Sequence, residues 1–252
     1  MVEAGGIFYA CWPMSDHHHM PDQYGLNLQA VFDIPALPED VYAILQRAVP
    51  ELASYRQLHL FGHGGRQMWD ALKASAFAEH AEPVDDFSAY HVQRYFEEMP
   101  GDVSYRLLFP GGEAMVPLRR LGELAGWHHA SPLRIGVNDV WGSWFAYRAV
   151  VLADTDFPTH VERGWTSPCV QCTDRPCIAA CPARAMDSGQ LELDACIDER
   201  LQDASACQQQ CLARMACPVA GAHRYDDDQI HYSYGRSLQT LKAWRASTKT
   251  GA

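Results

Sequence analysis

Several features that would assign this chain to a common class are missing from its 252 residues. No apolar run approaches the 18 residues that would predict a membrane-spanning helix. The N-terminus has no basic segment followed by a long apolar one, so we expect no secretory signal peptide and a cytoplasmic protein. The 20 basic residues are outnumbered by 31 acidic ones, and the net charge of −11 argues against a nucleic-acid partner.

Common catalytic patterns are missing as well. No G-x-G-x-x-G follows a predicted strand, so the sequence does not support a Rossmann dinucleotide site. No Ser-His-Asp set or carboxylate pair indicates hydrolysis, and no catalytic residue can be assigned. Before residue 166 the only cysteine is Cys11, which we expect to be a small buried side chain. The His17–His19 run is expected to be a solvated loop.

Eight of the nine cysteines lie in one segment near the C-terminus. The first four form C-x2-C-x4-C-x3-C followed by proline, a pattern close to that of bacterial ferredoxins. The two sets of four, in chain order, are Cys169, Cys172, Cys177 and Cys181, then Cys196, Cys207, Cys211 and Cys217. Eight thiolates suffice for two [4Fe–4S] clusters, so the segment predicts single-electron transfer.

The expected ligand sets are crossed. In two-cluster ferredoxins the cysteine before proline ligates the other cluster. By analogy, one cluster takes Cys169, Cys172, Cys177 and Cys217, and the other takes Cys181, Cys196, Cys207 and Cys211. Two structural zinc sites, one cluster with spare thiols, and a disulfide framework are the alternatives. Zinc sites usually use C-x2-C pairs, of which this chain has one, and clusters or free thiols both fit a reducing cytosol.

The hydrophobic share of 48% is enough for one large domain and a small module. The pattern predicts strands at 24–34, 55–61, 104–109, 133–137 and 143–152. It predicts helices at 37–48, 66–80, 86–98, 117–126 and 237–246. This order indicates an α+β or α/β layer structure. We divide the chain into a cofactor domain (1–163), a cluster module (164–224) and a helical tail (225–252).

Parts of the sequence resemble two known families. The run Gly126–Ile135 with Trp141–Phe145 resembles the region upstream of the cysteines in epoxyqueuosine reductases. Gly142–Arg148 and Ala89–Arg94 resemble the CblC family, which processes cobalamin. The first resemblance implies a nitroreductase-like domain, with a mixed sheet and covering helices, followed by a two-cluster ferredoxin-like module.

The resemblance also implies a function: passing electrons from two clusters to a cobalamin, for cobalamin reduction, ligand removal or a corrinoid-linked reduction. A corrinoid or small-molecule substrate and an upstream electron-donor protein are the expected partners. Reduction of a modified tRNA base is disfavoured, because Ala89 occupies the position of the aspartate taken to be the proton donor in epoxyqueuosine reductases. A flavin in place of the corrinoid, and an electron-transfer adaptor without either, remain alternatives.

Candidate cofactor contacts follow from the same segments. Arg148 is the first candidate for an anionic group, because a guanidinium binds carboxylate or phosphate in bidentate fashion. A surface salt bridge is its alternative. The other candidates are Gly142, Trp144, Phe145, Tyr90, His91 and His129. Aromatic residues such as Trp144 and Phe145 are more often part of a core, and Gly142 could simply form a turn. On an extended segment, at most one of His128 and His129 can face a pocket.

Overall fold

The structure is a computed structural model that describes residues 20–112, 115–160 and 166–250, with side chains to residue 247. Cys11 and His17–His19 lie outside the described residues. A four-stranded sheet has the order β1-β2-β4-β3. Its strands are β1 (Leu28–Asp33), β2 (Gln57–Gly64), β3 (Tyr105–Phe109) and β4 (Phe145–Ala153).

Every strand pair in this sheet is antiparallel, so the prediction of a mixed sheet is wrong. All eight residues of β2 are buried, as expected for a central strand covered on both faces. Strands β2 and β4 share a register irregularity, because Phe61 pairs with Ala149 while Gly62 pairs with Tyr147. Arg148 is therefore an extra residue on β4 with no partner on β2, which defines a β-bulge.

Helices cover both faces of the sheet. On one face, α1 (Glu39–Ala48) and α4 (Leu118–Leu124) pack in a cluster that includes Trp127 and Phe145. On the other, α2 (Gln67–Lys73) and α3 (Pro83–Glu97) form a second cluster. Helix α1 begins after Pro38 with Glu39 and Asp40 in its first turn, where carboxylates favour the positive end of the helix dipole.

The cysteine-rich segment folds into short helices separated by turns. These are α5 (Pro168–Gln171), α6 (Pro176–Ala179), α7 (Leu193–Leu201) and α8 (Leu212–Met215). The chain then forms the long helix α9 (Asp227–Thr250), which begins ten residues before the predicted tail helix. No helix in the described ranges is both long and apolar enough to cross a membrane.

The predicted strand at 133–137 is wrong. Leu133, Ile135 and Val137 alternate with other residues as a strand would, but this segment forms turns. Arg134 adopts a left-handed conformation with φ of 58°, and the Ser131 hydroxyl donates to the carbonyl of Ile135. Of the segment, Val137 alone pairs, in an isolated bridge to His129.

Candidate functional site

The eight cysteine thiols of the described residues are free and lie in two groups. The thiols of Cys169 and Cys177 both interact with those of Cys172 and Cys217. The thiols of Cys196 and Cys207 both interact with those of Cys181 and Cys211. The fold thus brings Cys217, far along the chain, to the first three cysteines, and brings Cys181 to the last set.

Local structure explains how the first loop presents its sulfurs. The Ser167 hydroxyl accepts a hydrogen bond from the Cys169 N–H and so caps α5. Pro168 and Pro176 occupy the first turns of α5 and α6, where proline costs no hydrogen bond. Arg175 has a φ of 42°, and this left-handed residue turns the chain sharply between Cys172 and Cys177. Three sulfurs can then converge from one loop.

The second loop is anchored by two arginines. Buried Arg200, on α7, donates from Nε to the carbonyl of Cys207 over 3.1 Å. Its terminal nitrogens donate to Ser237 Oγ and the Tyr234 carbonyl on α9, each over 3.0 Å. The N–H of Arg214 donates to the sulfur of Cys211 over 3.4 Å, which caps α8. The loop is therefore held to the long C-terminal helix.

The donor set fits iron–sulfur clusters. Burial, followed by the neighbouring thiols, raises the pKa of Cys177, Cys196 and Cys207, so four thiolates without a cation would repel one another. Iron ligation compensates that charge, because a coordinated thiol is deprotonated outright. In the described part of the chain, no three His, Cys, Asp or Glu side chains lie close enough to hold a single metal ion. A four-iron core separates its thiolates more widely than one zinc ion with Zn–S bonds of about 2.3 Å.

A cavity of about 700 Å³ lies between the cysteine loop and the sheet domain. Its cysteine wall includes Cys169, Cys172 and Cys177, and its opposite wall includes Arg119, His128 and the 130–134 turn. The Ser167 hydroxyl donates to the carbonyl of Ala130 over 3.2 Å and so joins the two walls. We call this space the cluster cavity. Arg134 and Arg175 also line it, which makes its rim favourable for anionic groups.

Of the adjacent histidines, His128 lines the cluster cavity and His129 is not among the lining residues. His128 Nδ1 lies 3.0 Å from the hydroxyl of Tyr147. Burial, with a smaller contribution from Arg119, lowers the pKa of His128, so its ring is neutral near pH 7. His129 pairs with Val137 through the backbone, and its buried Nε2 has no hydrogen-bond partner in the described residues. The predicted contact of the pair was His129, whereas the structure places His128 on the cavity wall.

Three other predicted contacts lie in packed positions outside the cluster cavity. Trp144 is fully buried against Tyr225 and Ile230, and Phe145 is in the core beneath Trp127. A Cβ on Gly142 would lie 2.4 Å from the carbonyl oxygen of Val219. Gly142 therefore lies close to the backbone of the cluster module and not to a cofactor site. Neither aromatic ring has an open face for a planar cofactor, so both positions favour the core alternative.

The remaining predicted contacts lie on the other face of the sheet. Tyr90 is 45% exposed on α3, and His91 is buried and stacked on Tyr24 at 3.7 Å between ring centroids. Arg148 lines a second cavity of about 250 Å³, between the start of α3 and α9, together with His63, Asp85 and Gln229. We call it the α3–α9 cleft. No sequence pattern predicts this cleft, because its residues come from four distant segments.

Comparison with known proteins gives a similarity of fold at low identity. No protein-family model matches the chain. No curated protein matches it either. Among solved structures, the epoxyqueuosine reductase of Streptococcus thermophilus is 12% identical over 79% of this chain, with a TM-score of 0.46. An epoxyqueuosine reductase with an epoxyqueuosine-modified tRNA stem loop is 15% identical over 83% of this chain, with a TM-score of 0.48.

A catabolic reductive dehalogenase, NpRdhA, in complex with 3-bromo-4-hydroxybenzoic acid is 16% identical over 86% of this chain, with a TM-score of 0.46. The chain spans 64 and 66% of the length of the two epoxyqueuosine reductases and 32% of the dehalogenase. The described structure is therefore similar, at low sequence identity, to parts of epoxyqueuosine reductases and of a reductive dehalogenase.

Proposed function

We propose that this protein is an iron–sulfur oxidoreductase that passes electrons from two [4Fe–4S] clusters to a corrinoid bound in the cluster cavity. The observation that carries the proposal is the position of Cys169, Cys172 and Cys177 on one wall of that cavity. A redox partner bound there lies directly beside the first cluster. The resemblance of Gly126–Ile135 and Gly142–Arg148 to cobalamin-linked families supports the corrinoid in place of a flavin.

The neighbouring thiols support the crossed ligand sets for the two clusters. Cys169, Cys172, Cys177 and Cys217 hold the cluster beside the cavity. Cys181, Cys196, Cys207 and Cys211 hold the cluster farther from it, which receives electrons from an upstream donor protein. A corrinoid, when bound, would supply a centre that accepts single electrons.

Residues on the cavity wall have distinct tasks in this proposal. Arg134 and Arg175 bind anionic groups of the cofactor or substrate, since a guanidinium is the donor best matched to phosphate or carboxylate. His128, kept neutral by burial, can accept or donate a proton at one ring nitrogen while Tyr147 holds the other. Ser167 fixes the width of the cavity by its bond to Ala130.

Anaerobic purification followed by iron, sulfide and corrinoid analysis tests the proposal. We expect roughly eight irons per chain and a change in the corrinoid spectrum when hydroxocobalamin is added to the reduced protein. Ala130→Trp should abolish the spectral change and keep the iron, because Ala130 is an exposed residue of the cavity wall. Ala81→Trp, at an exposed position outside the cavity lining, is the matched control.

The alternatives give different results in the same preparation. Eight irons with a flavin spectral change and no corrinoid response indicate a flavin-linked reductase. Eight irons with neither response indicate an electron-transfer adaptor. Zinc in place of iron, or no inorganic sulfide, refutes the cluster assignment itself.

A further inference from the structure

The α3–α9 cleft is separate from the cluster cavity. Within the described part of the chain, no residue lines both spaces, and none of the residues lining the cleft is a cysteine. Its walls come from the end of β2, the start of α3, the bulge of β4 and the first turns of α9. Two opposite charges, Arg148 and Asp85, line it together with the apolar surfaces of Met68, Trp69 and Tyr232.

Arg148 presents the free edge of its guanidinium to this cleft. It is the extra residue of the β4 bulge, and such bulges change the direction in which a side chain points. Its one side-chain hydrogen bond to a described residue runs from Nε to His63 Nδ1 over 2.9 Å. The two terminal nitrogens, which bind carboxylates in bidentate fashion, make no ion pair within 4.0 Å in the described ranges.

His63 cannot balance the charge of Arg148. Because Nδ1 accepts the hydrogen bond from Arg148, that nitrogen carries no proton. Burial, then Arg148 and Arg214, hold the pKa of His63 well below its ordinary value, so the ring is neutral. The proton on Nε2 faces the side-chain nitrogen of Gln229, 3.3 Å away, and exchanging the nitrogen and oxygen of that amide lets its Oε1, buried with no partner among described residues, accept this proton. The pair His63–Gln229 thus orients Arg148 without neutralising it.

Asp85 is the complementary charge. It lies partly buried in the first turn of α3, and burial, followed by Glu82 and Asp86, raises its pKa, while Arg148 lowers it. Arg148 and Asp85 attract each other across the cleft but form no ion pair within 4.0 Å. Glu82, the other acidic residue of the cleft, is paired with Arg236. A desolvated charge without a partner is costly, so each side chain favours a ligand group of opposite sign.

We propose that the α3–α9 cleft binds a small zwitterion of the α-amino-acid class, with its carboxylate on Arg148 and its ammonium on Asp85. A ligand with both charges completes both groups at once, which neither a simple anion nor a simple cation does. The cleft volume of about 250 Å³ suits a molecule of this size. Trp69, Met68 and Tyr232 provide an apolar wall for an aliphatic side chain. The site is independent of the proposed electron transfer.

Calorimetric titration of the anaerobically purified full-length protein with three probes tests the proposal. L-leucine carries both charges, 4-methylpentanoate lacks the ammonium group, and 3-methylbutylamine lacks the carboxylate. We expect leucine to bind at least about tenfold more tightly than either, because a hydrogen bond to a charged group contributes enough for a factor of ten or more. Asp85→Asn should reduce leucine affinity to that of the acid, and Arg148→Met to that of the amine.

Two control variants separate the cleft from general charge effects. Asp86→Asn changes the neighbouring exposed carboxylate, which pairs with His80 outside the cleft. Arg47→Met removes an exposed arginine on α1. Both should leave leucine binding unchanged. Unchanged iron content in a variant shows that its fold is kept. Arg148→Lys keeps the charge of Arg148 without its bidentate geometry, so weaker leucine binding with unchanged iron content indicates a lost ligand contact. The proposal is overturned if leucine does not bind, if it binds no tighter than 4-methylpentanoate, or if its affinity in Asp85→Asn and Arg148→Met is unchanged from wild type. None of these outcomes bears on the clusters.

Discussion

The guanidinium of Arg214 lies over the ring of Trp144, 4.4 Å from the ring centroid. The same group donates from Nε to Ser143 Oγ over 3.3 Å and from Nη2 to the carbonyl of Ser143. Arg214 belongs to the short helix that follows Cys211, and Trp144 precedes the central strand β4. This one side chain therefore docks the cysteine-rich module onto the sheet domain.

Arg214→Met should loosen that docking. The substitution keeps an aliphatic chain over Trp144 but removes the charge and two hydrogen bonds. We expect a loss of about 2–3 kcal/mol and a melting temperature lower by about 5–10 °C, measured by circular dichroism. The backbone N–H of residue 214 still donates to the sulfur of Cys211, so the iron content should be unchanged. Arg184→Met, at a side chain 82% exposed, is the control; an equal drop there would contradict the docking role.

The crossed ligand sets predict which cluster each cysteine supports. Cys181→Ser should reduce the cluster held by Cys196, Cys207 and Cys211 and preserve the one held with Cys217. Cys177→Ser should have the opposite effect, because its thiol interacts with Cys169, Cys172 and Cys217. Electron paramagnetic resonance of the reduced variants, with iron analysis, distinguishes the two. Cys11→Ser is the control and should leave both signals. Loss of the same signal in Cys181→Ser and Cys177→Ser would refute the crossing.

Gly142→Ala should lower the free energy of unfolding by more than the loss of a left-handed turn glycine alone. Gly142 has a φ of 59°, and its Cβ would lie 2.4 Å from the backbone oxygen of Val219, which cannot move like a side chain. We expect a cost of about 2–4 kcal/mol from strain and overpacking together. Gly101→Ala is the matched control, since Gly101 has a φ of 79° and nothing within 4 Å of the added carbon. Urea unfolding of both variants gives the comparison, and equal costs would contradict the close approach.

Stability should fall as the pH drops below about 6.5, in part because of His59. The Thr155 hydroxyl donates its own proton to Gln57 Oε1, so it accepts a hydrogen bond from Nε2 of His59 over 2.7 Å. The Nδ1 atom is buried without a partner in the described residues, and burial lowers the pKa of His59 to about 3. In the unfolded chain His59 is protonated below about pH 6.5, whereas in the folded protein it is protonated only near pH 3.

The sign of this effect follows from linkage. Where the unfolded state binds more protons, the free energy of unfolding rises with pH, here by up to about 1.4 kcal/mol per pH unit for one histidine. His59→Gln should therefore flatten the dependence of unfolding free energy on pH between pH 5 and 6.5. His231→Gln, at an exposed position of α9, is the control. An identical slope in wild type and His59→Gln would exclude this origin.

Much of the fold follows from local pattern. Helix α3 and strand β3 occur within three residues of their predicted bounds, because amphipathic spacing and turn residues act locally. The strand predicted at 133–137 failed because Leu133, Ile135 and Val137 alternate without any neighbouring strand to pair with. The mixed sheet failed because strand direction depends on the path of the connections, which residue patterns do not record.

The candidate sites show the same limit. The crossed ligand sets come from the analogy with two-cluster ferredoxins and stay a prediction, which the positions of Cys217 near the first three cysteines and of Cys181 near the last three support. The α3–α9 cleft depends on Asp85 and Arg148 meeting from different elements, with α9 as the third wall. The bulge that turns Arg148 toward this cleft comes from the pairing of β2 with β4. Neither feature leaves a periodic signal in the chain.

The spare residue in β4 explains how a cation can be set into a buried sheet. At every paired position of β2 and β4 the backbone is committed to its neighbour, and a charged side chain there must compete with core packing. Position 148 is exempt from that pairing. Deleting Arg148 would return the strand to an unbroken ladder, with Tyr147 directly before Ala149 and still paired with Gly62. The bulge therefore lets one strand do two things: residues 149–153 pack in the hydrophobic core, and Arg148 just before them carries a charge into the cleft.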